Sequence, residues 1–299
     1  MRSRNRVITC KRGNMEISFG EKPYSPYFLI GADGLYSTEV DVNVSENAFD
    51  DGGIYQSSQI KKRNIVLTIQ DRGSDDHIAV RDALLNLFPP KLKGRLTIKE
   101  NDEDTGSEKV IDYYTEKVVS DGKNSSRTFT ISLICPDPYF YDPYDKYVQM
   151  ANYAAMFTFQ HSFLSAGEEF GSRSKEKSKN IQSNTGADVV GLTIDFAING
   201  AVTNPSVTRV ESGETIRIGT DAMPLSLVYG DVLTVTTGSG NKHIYLIRSG
   251  VRSEINQYLS SDSSFFELHQ GDNTIGYDAN SGVGNIEVTV SYRMRYTHA

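Results

Sequence analysis

The chain has 299 residues, enough for two ordinary domains that each bury a core. A hydrophobic fraction of 38%, with 17 Tyr, 13 Phe and no Trp, lifts it above the disordered class and leans it towards pleated structure. The net charge of −7 excludes a strongly basic, DNA-gripping face, two cysteines (Cys10 and Cys135) exclude a disulfide framework or zinc cluster, and no apolar run nears the ~20 residues of a membrane span.

In chain order, Arg2, Arg4 and Arg6 lead into Val7-Ile8-Thr9-Cys10 and then Lys11-Arg12, which leaves no apolar core for a signal peptide. Glu39 to Ser45 alternates with Val40, Val42 and Val44 on one face, and Asn64 to Gln70 is a second strand with Ile65, Leu67 and Ile69. Both runs are predicted as core of the first domain. The turn-rich loop Asp50-Asp51-Gly52-Gly53 lies between them and is a candidate for subunit contacts. A helix is predicted from a cap at Asp75 or Asp76, through the stripe Val80, Leu84, Leu87 and Phe88, to the stop at Pro89-Pro90. Strands follow at Arg95 to Lys99, Val110 to Thr115 and Arg127 to Cys135. The basic clusters at Arg2 to Arg12, at Lys61-Lys62-Arg63 and at Arg173 to Lys179 are short and read as solvated surface.

Cys135-Pro136-Asp137-Pro138-Tyr139-Phe140 then breaks the pattern. Two prolines two residues apart cannot continue a ladder and bias their predecessors towards extended backbone, so these six residues are predicted to be an interdomain hinge. The division follows: residues 1–138 form one domain and 139–299 the other. Tyr147 to Phe163 is ambiguous, with helical spacing at Met150, Tyr153 and Ala154 and strand alternation in its second half. Gly167 to Gly186 reads as a long exposed loop. From Val189 to Tyr296, short strands separated by Gly-rich turns have the pattern of an all-β sandwich.

No constellation for chemistry stands out. The five histidines (His77, His161, His243, His269 and His298) show no metal-ligand spacing, and the acids around Gly73 and Gly106 do not follow the EF-hand order. Gly238-Ser239-Gly240-Asn241 has the glycines of a phosphate loop but no following helix, so it reads as a hairpin turn. No nucleophile elbow or paired carboxylates can be singled out. The expectation is therefore no catalytic residue, no metal ligand and no cofactor. Sugar binding by stacking would fall to Tyr229, Tyr245 or Tyr258, each in or beside a strand, where core packing is commoner.

The hinge carries a resemblance. Ile134-Cys135-Pro136-Asp137-Pro138-Tyr139-Phe140-Tyr141-Asp142 resembles the mid-chain "CPDPYF" joint of the siphophage distal tail protein family. Asp50 to Gly53, Leu87 to Gly94, Asn184 to Asp188, Asn204 to Val207, Tyr229 to Val235 and Phe265 to Ile275 are similar to further family segments, in the family's order. The resemblance implies a mainly β protein. Its N-terminal, β-sandwich-like ring domain would carry one helix, and its C-terminal domain would be a galectin-like β-sandwich. It also implies a non-enzymatic homo-hexamer at the virion tail tip of a siphophage or prophage, assembled in the host cytoplasm. The ring would join the tail tube protein to the tail-associated protein and anchor receptor-binding proteins, with DNA only passing through its channel. The alternative is a carbohydrate-binding host-adhesion module on the tail.

Overall fold

A computed structural model of the chain describes residues 5–20, 26–46, 51–72, 76–101, 107–120, 127–150, 153–155, 171–173, 177–183 and 189–299. The chain divides into two compact units, Met1–Pro143 with Arg295–Ala299, and Tyr144–Met294. The division falls five residues beyond the expected one after Pro138, and the chain's last residues return to the first unit. No helix among the described residues is long and apolar enough to cross a membrane.

The first unit opens with β1 (Asn5–Arg12), β2 (Met15–Gly20) and β3 (Tyr27–Asp33), then β4 (Val40–Glu46), β5 (Gly53–Ile60) and β6 (Arg63–Asp71). Helix α1 (His77–Leu87) precedes β7 (Lys93–Asn101), β8 (Ser107–Ser120), β9 (Thr128–Cys135) and β10 (Phe140–Tyr141). Among the described residues, β8-β7-β1-β2-β3-β6-β9 form a sheet of seven strands that closes because β9 also pairs with β8. Closure depends on the length of β8. Its first half lies along β7, its second half along β9, and a register shift between Thr115 and Lys117 bends it from one to the other. The expected sandwich-like sheet is thus a barrel, and closure removes the open edges such a sheet would expose.

Alternating residues fill the interior. Ile65, Leu67 and Ile69 of β6 are fully buried, as predicted, with Ile8, Phe19, Leu96 and Phe129 around them. Gly94 lies opposite Tyr113, whose ring occupies the space a side chain there would need. The helix is the expected one. The Asp76 carboxylate accepts from Ala79 N at 3.0 Å, Val80, Leu84 and Leu87 face inward, and Phe88 stacks on Phe19. The strands β1 to β3, which no strong alternation announced, complete the wall.

In the second unit, β11 (Lys146–Gln149), β12 (Tyr153–Ala155), β13 (Gly171–Arg173) and β14 (Ser178–Ser183) come first. Next are β15 (Val189–Val190), β16 (Leu192–Ile198), β17 (Val202–Arg209), β18 (Thr215–Arg217) and β19 (Ser226–Leu227). The unit ends with β20 (Val232–Thr236), β21 (His243–Arg248), β22 (Val251–Glu254), β23 (Leu268–His269), β24 (Gly271–Ser281) and β25 (Ile286–Tyr292). One sheet runs β11-β25-β16-β20-β21-β22 and the other β14-β24-β17-β18, with β19 on β17. Alternate residues of each are buried, for example Leu192, Ile194 and Phe196 in the first and Val207, Ile216 and Ile275 in the second, as two facing sheets require. The Gly238 to Asn241 segment is the expected hairpin turn, linking β20 to β21.

Two readings of this half need correction. Among the described residues the helical spacing at Met150, Tyr153 and Ala154 forms no helix: β11 and β12 are extended, β11 being held by its ladder to β25. Residues 178–183, expected within an exposed loop, form β14, an edge strand paired with β24 that buries Ile181 and Ser183 on alternate positions. The strand is too short and polar for its period to show. The second half of the ambiguous segment, residues 156–163, and half of the expected loop, residues 167–170, 174–176 and 184–186, lie outside the described residues. Finally β26 (Arg295–Tyr296) pairs with β10, so the strand pattern expected as far as Tyr296 divides, with β25 in the second unit and β26 in the first.

Candidate assembly surface

Strands β4 and β5 pair only with each other, forming an arm outside the barrel. Every described residue of the arm from Val40 to Gln59 is exposed. Val40, Val42 and Val44 share one face with their cross-strand partners Ile60, Ser58 and Tyr55. Asp41, Asn43 and Ser45 occupy the other. The three valines, predicted as core, are therefore surface residues: among the described residues no other element covers their face, and Val42 is 57% exposed. Alternation reported a strand with one apolar face and was silent on what covers that face. An isolated two-stranded ribbon is marginal in water, so an apolar face left open on one implies a surface to cover it.

The base of the arm is fixed electrostatically. Lys61 Nζ donates to Asp41 Oδ1 at 2.8 Å and lies 3.3 Å from Glu39 Oε1, and those hydrogen bonds raise the ammonium's pKa. Two residues on, Arg63 is 5% exposed, which corrects the reading of Lys61-Lys62-Arg63 as solvated surface. Its guanidinium donates to the carbonyls of Pro138 (2.7 Å), Gly34 (2.6 Å), Ser37 (2.7 Å) and Thr297 (2.6 Å) and to Thr38 Oγ1 (3.3 Å). Arginine's planar fork of five donors suits this role, since it satisfies several buried carbonyls at once. It also lies 4.9 Å over the Phe140 ring. Arg63 thus ties together the approach to the arm, the Pro-Asp-Pro segment and the chain's last residues. Gly34 holds φ +82° against the Asn64 carbonyl, where no side chain fits.

The six predicted hinge residues all belong to the first unit. Cys135 ends β9 and is fully buried, Pro138 accepts from Arg63, and Phe140 is buried in the barrel's core cluster. Asp137 accepts from Tyr139 N and from the Tyr141 hydroxyl, and Arg295 stacks on the Tyr139 ring. These contacts fasten the segment to the first unit, and the chain passes between units at Pro143–Tyr144 and again at Met294–Arg295. The cysteines are core residues, burial pushing the Cys135 thiol up to about 12.

The chemistry-bearing residues do not converge. His77 pairs with buried Asp71, His243 with Glu254, His269 lies in β23 and the His298 carbonyl accepts from Lys109; His161 lies outside the described residues. Among the described residues no three metal-ligating side chains cluster. Of the acid groups, Asp76 caps α1, while residues 73–75 and 102–106 lie outside the described residues. Tyr245 lies between His243 and Arg252, and Tyr258 is half-buried. Tyr229 is 79% exposed, contrary to the packing expected beside a strand, because it stands at the turn before Gly230.

Comparison with known proteins decides the family. A siphovirus-type tail component, C-terminal domain, matches residues 185–296, and a phage tail protein RIFT-related domain matches residues 20–135. The chain belongs to the siphophage distal tail protein family. The fold agrees. The crystal structure of the distal tail protein (Dit) of phage SPP1, titled a paradigm of hub adsorption apparatus in Gram-positive-infecting phages, superposes with a TM-score of 0.62 at 12% identity. That match covers 97% of this chain and 99% of the other. A chain of the phage P2 baseplate in its activated conformation with Ca matches with a TM-score of 0.51 at 8% identity, covering 99% of both. No curated protein matches. As a distal tail family member the chain is a structural, baseplate-hub-type component of the phage tail.

Proposed function

We propose that this distal tail protein acts as a hexameric hub at the tail tip and has no catalytic role. Its barrel units form a ring that joins the tail tube protein to the tail-associated protein below, and its second units carry receptor-binding proteins. One observation carries this reading: the barrel extends an arm whose apolar face no other element among the described residues covers. A symmetric ring gives each arm a neighbour, and a head-to-tail contact repeated with closure leaves none uncovered. A channel through such a ring transmits DNA without reading it, and a net charge of −7 favours sliding over capture. The sequence-predicted joint at Cys135 to Phe140 then anchors the barrel's side of the connection.

Light scattering on the full chain tests the proposal. The wild type is expected to reach about six times the 33.2 kDa chain mass as concentration rises, and Val42→Asp to remain monomeric. A wild type that stays monomeric at every accessible concentration contradicts it. A second reading, host adhesion through sugar, draws on the exposure of Tyr229, since aromatic faces stack on sugar rings. Binding of host wall polysaccharide that disappears in Tyr229→Ala would favour it.

A further inference from the structure

The arm's apolar face calls for a counterpart, and the barrel carries a surface whose chemistry matches it. The arm is acidic as well as apolar. From Val40 to Ile60 the sequence holds Asp41, Glu46, Asp50 and Asp51 and no Lys or Arg. Its counterpart should present exposed apolar side chains among positive charge.

The end of the barrel at the C-terminus of α1 does so. Arg12 donates to the carbonyls of Asn86 (2.6 Å) and Leu87 (3.2 Å) and lies 3.9 Å from Met15 Sδ, which gathers the β1–β2 turn against the end of the helix. The start of β7 comes to the same end, since Lys11 lies opposite Arg95 and Leu92 precedes the strand. Met15, Leu85 and Leu92 are each between 39% and 50% exposed there, unlike the inward stripe of the same helix. Around them, Arg12 faces helix carbonyls, Lys91 is exposed, and Lys93 and Arg95 share a single carboxylate, Asp112. Lys11 is offset by Glu16 at 3.9 Å. The local balance is positive, and a cation at a helix C-terminus is itself favourable.

We infer that the Val40/Val42/Val44 face of one copy docks on the Met15, Leu85 and Leu92 patch of a second copy. The inference rests on the ring reading above and specifies its contact. Charge decides against the simpler alternative, arm on arm, which would bring Glu46, Asp50 and Asp51 of both copies together, Asp41 being paired with Lys61. The arm and the patch are different surfaces, so the contact is head-to-tail, the type that closes rings.

Single-cysteine copies test this in the full chain. Both native thiols are fully buried, which leaves an introduced surface cysteine as the reactive one. Val42→Cys and Leu85→Cys copies, with distinguishable tags, are mixed and treated with a short bis-maleimide while light scattering reads the assembly. The expected product joins a Val42→Cys copy to a Leu85→Cys copy, each single variant alone giving little. Reversing charge at both rims supports the same contact: Glu46→Lys and Lys91→Glu each weaken self-association, up to about fivefold, and together restore it. Assembly with only Val42-to-Val42 products, or with neither product, overturns the inference and leaves the ring standing. Absence of assembly removes the ring reading itself.

Discussion

At the scale of single residues, the first unit depends on Arg63. A buried guanidinium satisfying four carbonyls and a hydroxyl cannot be replaced by an apolar chain of similar length without stranding those acceptors. Arg63→Met is expected to destabilise the first unit by at least about 3 kcal/mol, read as loss of amide-exchange protection there with the second unit unchanged. Asp231 plays a comparable part in the second unit, its carboxylate bridged by Arg248 Nε at 3.0 and 3.1 Å. That hydrogen bonding holds the Asp231 carboxyl below the ordinary carboxylate range. Its folded pKa is therefore lower than its unfolded one, so its contribution is complete above about pH 4 and is lost as pH falls through the lowered value. Asp231→Asn is expected to cost the second unit about 1–3 kcal/mol near neutral pH and to lessen the fall of its thermal midpoint as pH drops below about 4. The thiols make a third case: with burial raising both, Cys10 and Cys135 are expected to resist maleimide until the barrel unfolds.

At the scale of elements, the arm and β8 show what the sequence could and could not say. Period-two alternation located β4 and, less strictly, β6, yet among the described residues one is an uncovered ribbon and the other part of the barrel wall. The difference lies in neighbours, and neighbours are set by tertiary pairing that a local pattern does not encode. The helix was legible because its cap, stripe and Pro-Pro stop agree. The closed barrel was not, because closure depends on a register shift within β8. Arg63 was hidden for a related reason: beside Lys61 and Lys62 it reads as surface charge, and only the convergence of distant carbonyls marks it as buried. The arm's exposure gives a direct expectation. Val42→Asp should leave the thermal midpoint almost unchanged, within about 0.5 kcal/mol, while abolishing self-association by light scattering.

At the scale of the whole molecule, the chain crosses between its units twice, and the returning end is bound at several points. Thr297 O accepts from Arg63 and Thr38, Ala299 N donates to Leu35 O, and the Tyr296 hydroxyl donates to Asp142. The Pro-Asp-Pro segment fits this picture as one anchored side of the connection. The central claim, a sixfold ring built through the arms, is tested most directly by electron microscopy of the purified full chain at a concentration where it self-associates. Class averages with sixfold symmetry around a central opening, absent in Val42→Asp, are the predicted result. Particles of twofold symmetry, or rings that persist in that variant, would contradict it.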